Sequence, residues 1–107
     1  MNKGSIKVSV LYPAGKGKHF DMDYYCNTHI PMVTKLMGDA LKSASVEKGL
    51  GGAGLGTPAA YACMGNMYFD TMEEFQNAFG PNAAEIMADA PNYTNSEPII
   101  QVSEVMM

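Results

Sequence analysis

A chain of 107 residues that is 47% apolar and 17% charged has the size and composition of one globular domain, which excludes disorder and a multidomain architecture. Its seven basic side chains are all lysine, against eleven carboxylates and a net charge of −4, so the basic surface and bidentate guanidinium that favour nucleic-acid binding are missing. No apolar run approaches the roughly 18 residues that cross a bilayer and no secretory apolar segment opens the chain, so neither membrane nor nucleic acid is an expected partner and the expected compartment is the cytoplasm.

Residues 5–12 alternate, with Ile6, Val8, Val10 and Tyr12 on one face, and predict a first strand. Residues 13–19 carry turn residues and a small lysine cluster, and read as a solvated loop or a lid. Residues 21–37 predict an amphipathic helix. Asp21 and Asp23 favour its N-terminus and Gly38 closes it, while Met22, Tyr25, Cys26, His29, Val33, Leu36 and Met37 share a face by three- and four-residue spacing. Pro31 inside this helix removes a backbone donor and predicts a kink just after His29.

Residues 41–48 predict a polar strand. The following Gly49-Leu50-Gly51-Gly52-Ala53-Gly54 matches a dinucleotide fingerprint in letters only, because no helix follows to receive a pyrophosphate, so it is read as a hairpin connection. Residues 60–69 predict a strand apolar on both faces, and Thr71 with Glu74 forms a capping box for a second helix that Gly80-Pro81 interrupts before it resumes over residues 83–89. A last strand is expected over residues 99–105. The order βαββαβ implies an α+β, ferredoxin-like fold: a four-stranded antiparallel sheet with both helices on one face. The free sheet face, carrying part of the apolar strand 60–69, predicts a homodimer.

Tyr25, His29 and Pro31 in the first helix, Asp89-Ala90-Pro91-Asn92-Tyr93-Thr94 after the second, and Pro98, Gln101 and Glu104-Val105 at the end together resemble the EthD family, named for ethyl tert-butyl ether degradation. The resemblance implies a dimeric α+β barrel with a small apolar pocket between sheet and helices in each subunit. Related barrels include cofactor-free monooxygenases acting on aromatics, haem enzymes, isomerases and proteins of no known activity. Cys26 stands where many members carry a bulky aromatic, which implies a reshaped pocket beside His29.

His29 is the leading catalytic candidate, since an imidazole moves protons near neutral pH; the alternative is a satisfied core histidine. Tyr25 either orients a ligand oxygen, bonds His29 or is simply buried, and Asp89 either orients His29 or caps the loop after it. Cys26, Tyr93 and Gln101 are the candidate substrate-binding groups. Both cysteines are expected as buried thiols, a disulfide between them remaining open, and His19 and His29 lack metal-ligand spacing, so no metal and no organic cofactor is expected. The expected ligand is a small apolar or aromatic compound. Three functions are carried forward: a monooxygenase-like oxidoreductase with His29 as base, a cofactor-free lyase or isomerase, and a non-catalytic small-molecule binder.

Overall fold

The β-branched and aromatic alternation of the N-terminal residues becomes strand β1 (Ile6–Pro13), placed centrally in a four-stranded sheet. The computed structural model describes residues 2–107. Strands β2 (Ser43–Lys48), β3 (Tyr61–Phe69) and β4 (Ile99–Glu104) complete the sheet in the order β2-β3-β1-β4, every neighbouring pair antiparallel. This is the ferredoxin-like arrangement. Register sets the two faces: Val8 opposes Met67 and Val102, Val10 opposes Gly65 and Ile100, and Tyr12 opposes Cys63, so these residues share the helix-covered side. Ser9, Asn66, Ser45 and Gln101 form a polar row on the other side.

The first helical rod runs as α1 (Met22–Tyr24), a π turn (Tyr25–His29) and α2 (Ile30–Met37). Asp21 caps it, its carboxylate accepting from the Tyr24 N–H at 3.0 Å. The expected kink takes the form of the π turn: the Ile30 N–H reaches back to the Tyr25 carbonyl, and Pro31 sits in the opening turn of α2. The physical reason is the proline ring, which crowds the carbonyl four residues earlier unless the turn before it widens. A wider turn also changes which spacings return to the same face. Tyr25, His29, Val33 and Met37, four residues apart, all point to the sheet and are buried.

The second helical segment comprises α3 (Met72–Phe79), a 3₁₀ turn at Gly80–Asn82 and α4 (Ala83–Ala88). Thr71 caps α3 by accepting from the Glu74 N–H at 3.0 Å. Asn82 at the break donates to the carbonyls of Ala78, at 2.8 Å, and Leu36, at 3.2 Å, which stitches the two helical segments together.

Two buried clusters result. Val8, Val33, Met37, Met67, Phe69, Phe75 and Ile86 form an aliphatic core, and Tyr12, Tyr25, Cys63 and Tyr93 form an aromatic one at the start of the first rod. The segment 13–19 is no free lid. Ser96 donates to the Pro13 carbonyl, Asn95 to Gly17 and Thr94 to His19, and Phe20 and Thr94 form a β-bridge, which brings Tyr93 under the first rod. The glycine-rich connection at residues 49–60 contains neither helix nor strand, in keeping with a hairpin connection rather than a nucleotide loop.

Candidate active site

A cavity of about 60 Å³ lies at the seam between the aliphatic and aromatic clusters. Val8, Val10, Val33, Met67 and Phe79 are among its apolar lining residues, Met87 and Ile100 are the more exposed ones, and His29, Tyr12, Tyr25 and Tyr93 bring polar groups to it. His29, only 4% exposed, is held from two directions. Its ring stacks on Tyr25 one turn before it, with centroids 5.2 Å apart and planes inclined by 19°, and the Tyr93 ring approaches to 4.7 Å. Its Nδ1 lies 2.9 Å from an Asp89 carboxylate oxygen.

Asp89 follows α4 and is itself fixed by two further donors. The Tyr24 hydroxyl and the Asn92 amide both donate to Oδ1 at 2.8 Å, leaving Oδ2 for His29. Asp89 also closes the turn after it, since the Asn92 N–H donates to its carbonyl. Burial pushes the pKa of this carboxyl up, yet the hydrogen bonds from Asn92, His29 and Tyr24 outweigh it and hold the pKa below the ordinary aspartate value. An ionised Asp89 accepts a hydrogen bond from Nδ1–H, which leaves Nε2 as the basic nitrogen of the neutral ring. Among the described residues Nε2 makes no hydrogen bond and no fully buried side-chain nitrogen or oxygen lacks a partner, so Nε2 of this cavity-lining ring is open to the cavity.

The sequence profile of the EthD domain matches residues 15–97, a span that contains both helical segments and Tyr24, Tyr25, His29, Asp89 and Tyr93. The chain belongs to the EthD family. It is similar to a solved EthD-like protein from Ralstonia eutropha JMP134, at 42% identity and a TM-score of 0.92, over 99% of this chain and 96% of that one. An EthD family protein from Bacillus halodurans C-125 matches at 23% identity and 0.67, over 95% and 99%. A dimeric protein of unknown function and ferredoxin-like fold from Bacteroides fragilis NCTC 9343 matches at 9% and 0.53, over 97% and 99%. No significant match is found among curated proteins.

Two site expectations for this EthD domain are corrected by the structure. Cys26 does not reach the cavity and is exposed; in the π turn, three-residue spacing from His29 no longer returns a side chain to the buried face. Cys63 is fully buried and both thiols are free. Gln101 also lies away from the cavity. It pairs with Ser9 on the far side of the sheet, where its amide donates to Ser103 at 3.1 Å, because strand alternation gives the inward positions to Ile100 and Val102. Tyr25, His29, Asp89 and Tyr93 are brought together.

Three residues complete the site beyond those expected. Tyr24 is not among the residues that helical spacing puts on the apolar face, and its role depends on Asp89 arriving from 65 residues away. In the sequence Tyr12 shows only that it shares a strand face with Ile6, Val8 and Val10, yet its hydroxyl lies 2.8 Å from that of Tyr93. Gly65, a glycine inside a strand, carried the one local signal, since such a position often marks a close approach. The Tyr25 hydroxyl occupies the space where its Cβ would be.

No helix is long and apolar enough to cross a membrane, and no group of three or more His, Cys, Asp or Glu side chains converges among the described residues. The buried phenols have a further consequence. Burial pushes Tyr12, Tyr25 and Tyr93 well above the ordinary tyrosine value of 10.0, and pushes the Cys63 thiol from 9.0 up to about 12. For acids whose folded pKa is raised, stability is complete below the unfolded values and is lost as pH climbs toward the folded ones. Urea midpoints measured between about pH 8 and about pH 11 are therefore expected to fall, and to fall less in Tyr12→Phe. A flat profile contradicts the buried cluster.

Proposed function

We propose that this EthD domain catalyses proton abstraction from a small apolar or aromatic compound, with His29 Nε2 as base, Asp89 as its orienting carboxylate and Tyr25 beside it. The reaction it serves is monooxygenase-like oxidation, in which the deprotonated, electron-rich substrate reacts with dioxygen and itself supplies all four electrons, an activated CH₂ becoming a ketone or a phenol a quinone as one oxygen atom enters the product and the other leaves as water. The observation that supports this reading is the buried His29–Asp89 pair at the wall of an apolar cavity, with Nδ1 occupied and Nε2 free. A correctly placed base contributes about 10²- to 10⁴-fold. The neutral tyrosines beside it donate hydrogen bonds without competing for the proton.

Cavity size favours a second reading on the same residues. About 60 Å³ is roughly two water molecules' share of liquid volume, whereas an engineered cavity that takes benzene measures about 150 Å³. A ring therefore enters only if side chains such as Met67 and Met87 swing aside, which unbranched thioethers do readily. Proton-transfer isomerisation of a smaller molecule needs less movement. Oxygen-electrode assays with electron-rich phenols separate the two. Uptake stoichiometric with substrate, abolished in His29→Asn, is expected; solvent deuterium incorporation without oxygen uptake selects the isomerase reading, and ligand binding with neither leaves a non-catalytic binder.

The partner implied for assembly is a second copy of the chain, seated on the sheet face opposite the helices, where Leu11, Met64, Tyr68 and Ile99 stand beside the polar row. Sedimentation at micromolar concentration is expected to return a dimer, and a monomer contradicts it.

A further inference from the structure

The three phenols lining the cavity carry more hydrogen-bond donors than the protein can use. Tyr12 and Tyr93 share one bond, hydroxyl to hydroxyl at 2.8 Å, which consumes one of their two hydrogens. The Tyr25 hydroxyl, wedged over Gly65 beside them, makes no hydrogen bond to a carbonyl or carboxylate among the described residues. Even if Tyr12 donates onward to Tyr25, a row of three hydroxyls makes two bonds and one hydrogen is left over. The rest of the wall offers it nothing: Val8, Val10, Val33, Met67 and Phe79 are apolar, and the Asn66 side chain is engaged on the other face of the sheet by Ser45 and Glu47. A surplus donor facing an apolar cavity calls for an acceptor on the ligand.

A lone pair faces the same space. His29 Nε2 is an acceptor for as long as Nδ1–H is committed to Asp89, and the Tyr25 and His29 rings are stacked one turn apart. We infer that the Tyr12–Tyr25–Tyr93 hydroxyls form an oxygen-recognition subsite, and that the ligand is a small acid whose conjugate base is an oxyanion: a phenol, or a carbonyl compound with an acidic α C–H. This deepens the reading of His29 as base and rests on it. The ligand proton passes to Nε2, and the electron pair it leaves settles on the ligand oxygen, which accepts from the Tyr25 hydroxyl. The resulting imidazolium is paired with Asp89. Proton return from Nε2 to carbon or to oxygen restores both partners.

Two isosteric pairs of probes test this, each compound titrated into ¹⁵N-labelled protein and followed by chemical shift. Phenol and toluene differ in a group that both donates and accepts; anisole and ethylbenzene differ only in an acceptor. Phenol is expected to bind about tenfold more tightly than toluene, and anisole about threefold more tightly than ethylbenzene. Tyr25→Phe removes the anisole preference, whereas His29→Asn leaves it and reduces only the additional preference for phenol. A phenol preference with no anisole preference overturns the oxygen subsite while His29 stands as an acceptor. An anisole preference with no additional gain for phenol supports the subsite and removes the base. Equal affinities within both pairs, or no binding by any of the four, overturn the inference, and the wild-type comparison decides it even if Tyr25→Phe fails to fold.

Discussion

Gly65→Ala lowers the stability of this protein by about 1 to 3 kcal/mol, and Tyr25→Phe, made in the same chain, restores most of the loss. In an ordinary strand the substitution goes the other way, because alanine loses less backbone freedom on folding than glycine, and Gly65 has no positive φ that would penalise a side chain. What reverses the sign is one atom. An alanine Cβ at position 65 would overlap the Tyr25 hydroxyl oxygen, while the next ring atom, at 3.4 Å, is close to ordinary contact. The ring itself cannot retreat, for it is 2% exposed and packed between Tyr12, Phe20 and His29. Chemical denaturation of the wild type, both single variants and the double variant closes the cycle. A coupling near zero contradicts the packing described for the cavity floor.

The second large effect is on catalysis. His29→Asn is expected to lower turnover of the substrate by about 10²- to 10⁴-fold while leaving the urea midpoint close to that of the wild type. Asparagine keeps one hydrogen bond to Asp89 and much of the volume, yet has no basic nitrogen near neutral pH. Asp89→Asn gives a partial loss with a changed pH profile, because the carboxylate that fixes the ring's proton on Nδ1 is gone while the base remains. A histidine that is merely a packed core residue behaves oppositely, with activity kept and stability reduced. The relevant scale for that outcome is about 1 to 3 kcal/mol, the penalty for stranding a buried partner.

Local chemistry explains why the fold could be read from the residues. Each element carries its own signal: the alternation of Val8, Val10 and Tyr12, the Asp21 and Thr71 caps, and the break at Gly80-Pro81. The order of those elements then leaves few topologies. The site was less legible. His29 and Tyr25 announced themselves by sharing a helical face, but Cys26 was assigned to that face on an assumption of uniform α geometry that the π turn breaks. Tyr24 and Asp89 meet across 65 positions, and no periodicity encodes such a meeting. Gln101 was assigned to the pocket through family resemblance, whereas strand alternation, properly phased from Val8 and its partner Val102, turns it away. Function was the least legible of all, because a fold of this kind hosts many reactions and the choice lies in a few side chains around one cavity.

Those side chains make one claim above the rest: that Asp89 holds the Nδ1 proton of His29 and leaves Nε2 unprotonated and open to the cavity. The ¹⁵N resonances of ring-labelled histidine, recorded at about pH 8 in the wild type and assigned to His29 with a His19→Gln variant, read the tautomer of the neutral imidazole directly. The expected spectrum shows a protonated Nδ1 and a bare Nε2 whose resonance moves when phenol is added and whose tautomer bias weakens in Asp89→Asn. A proton on Nε2, or a ring insensitive both to phenol and to Asp89→Asn, contradicts the account.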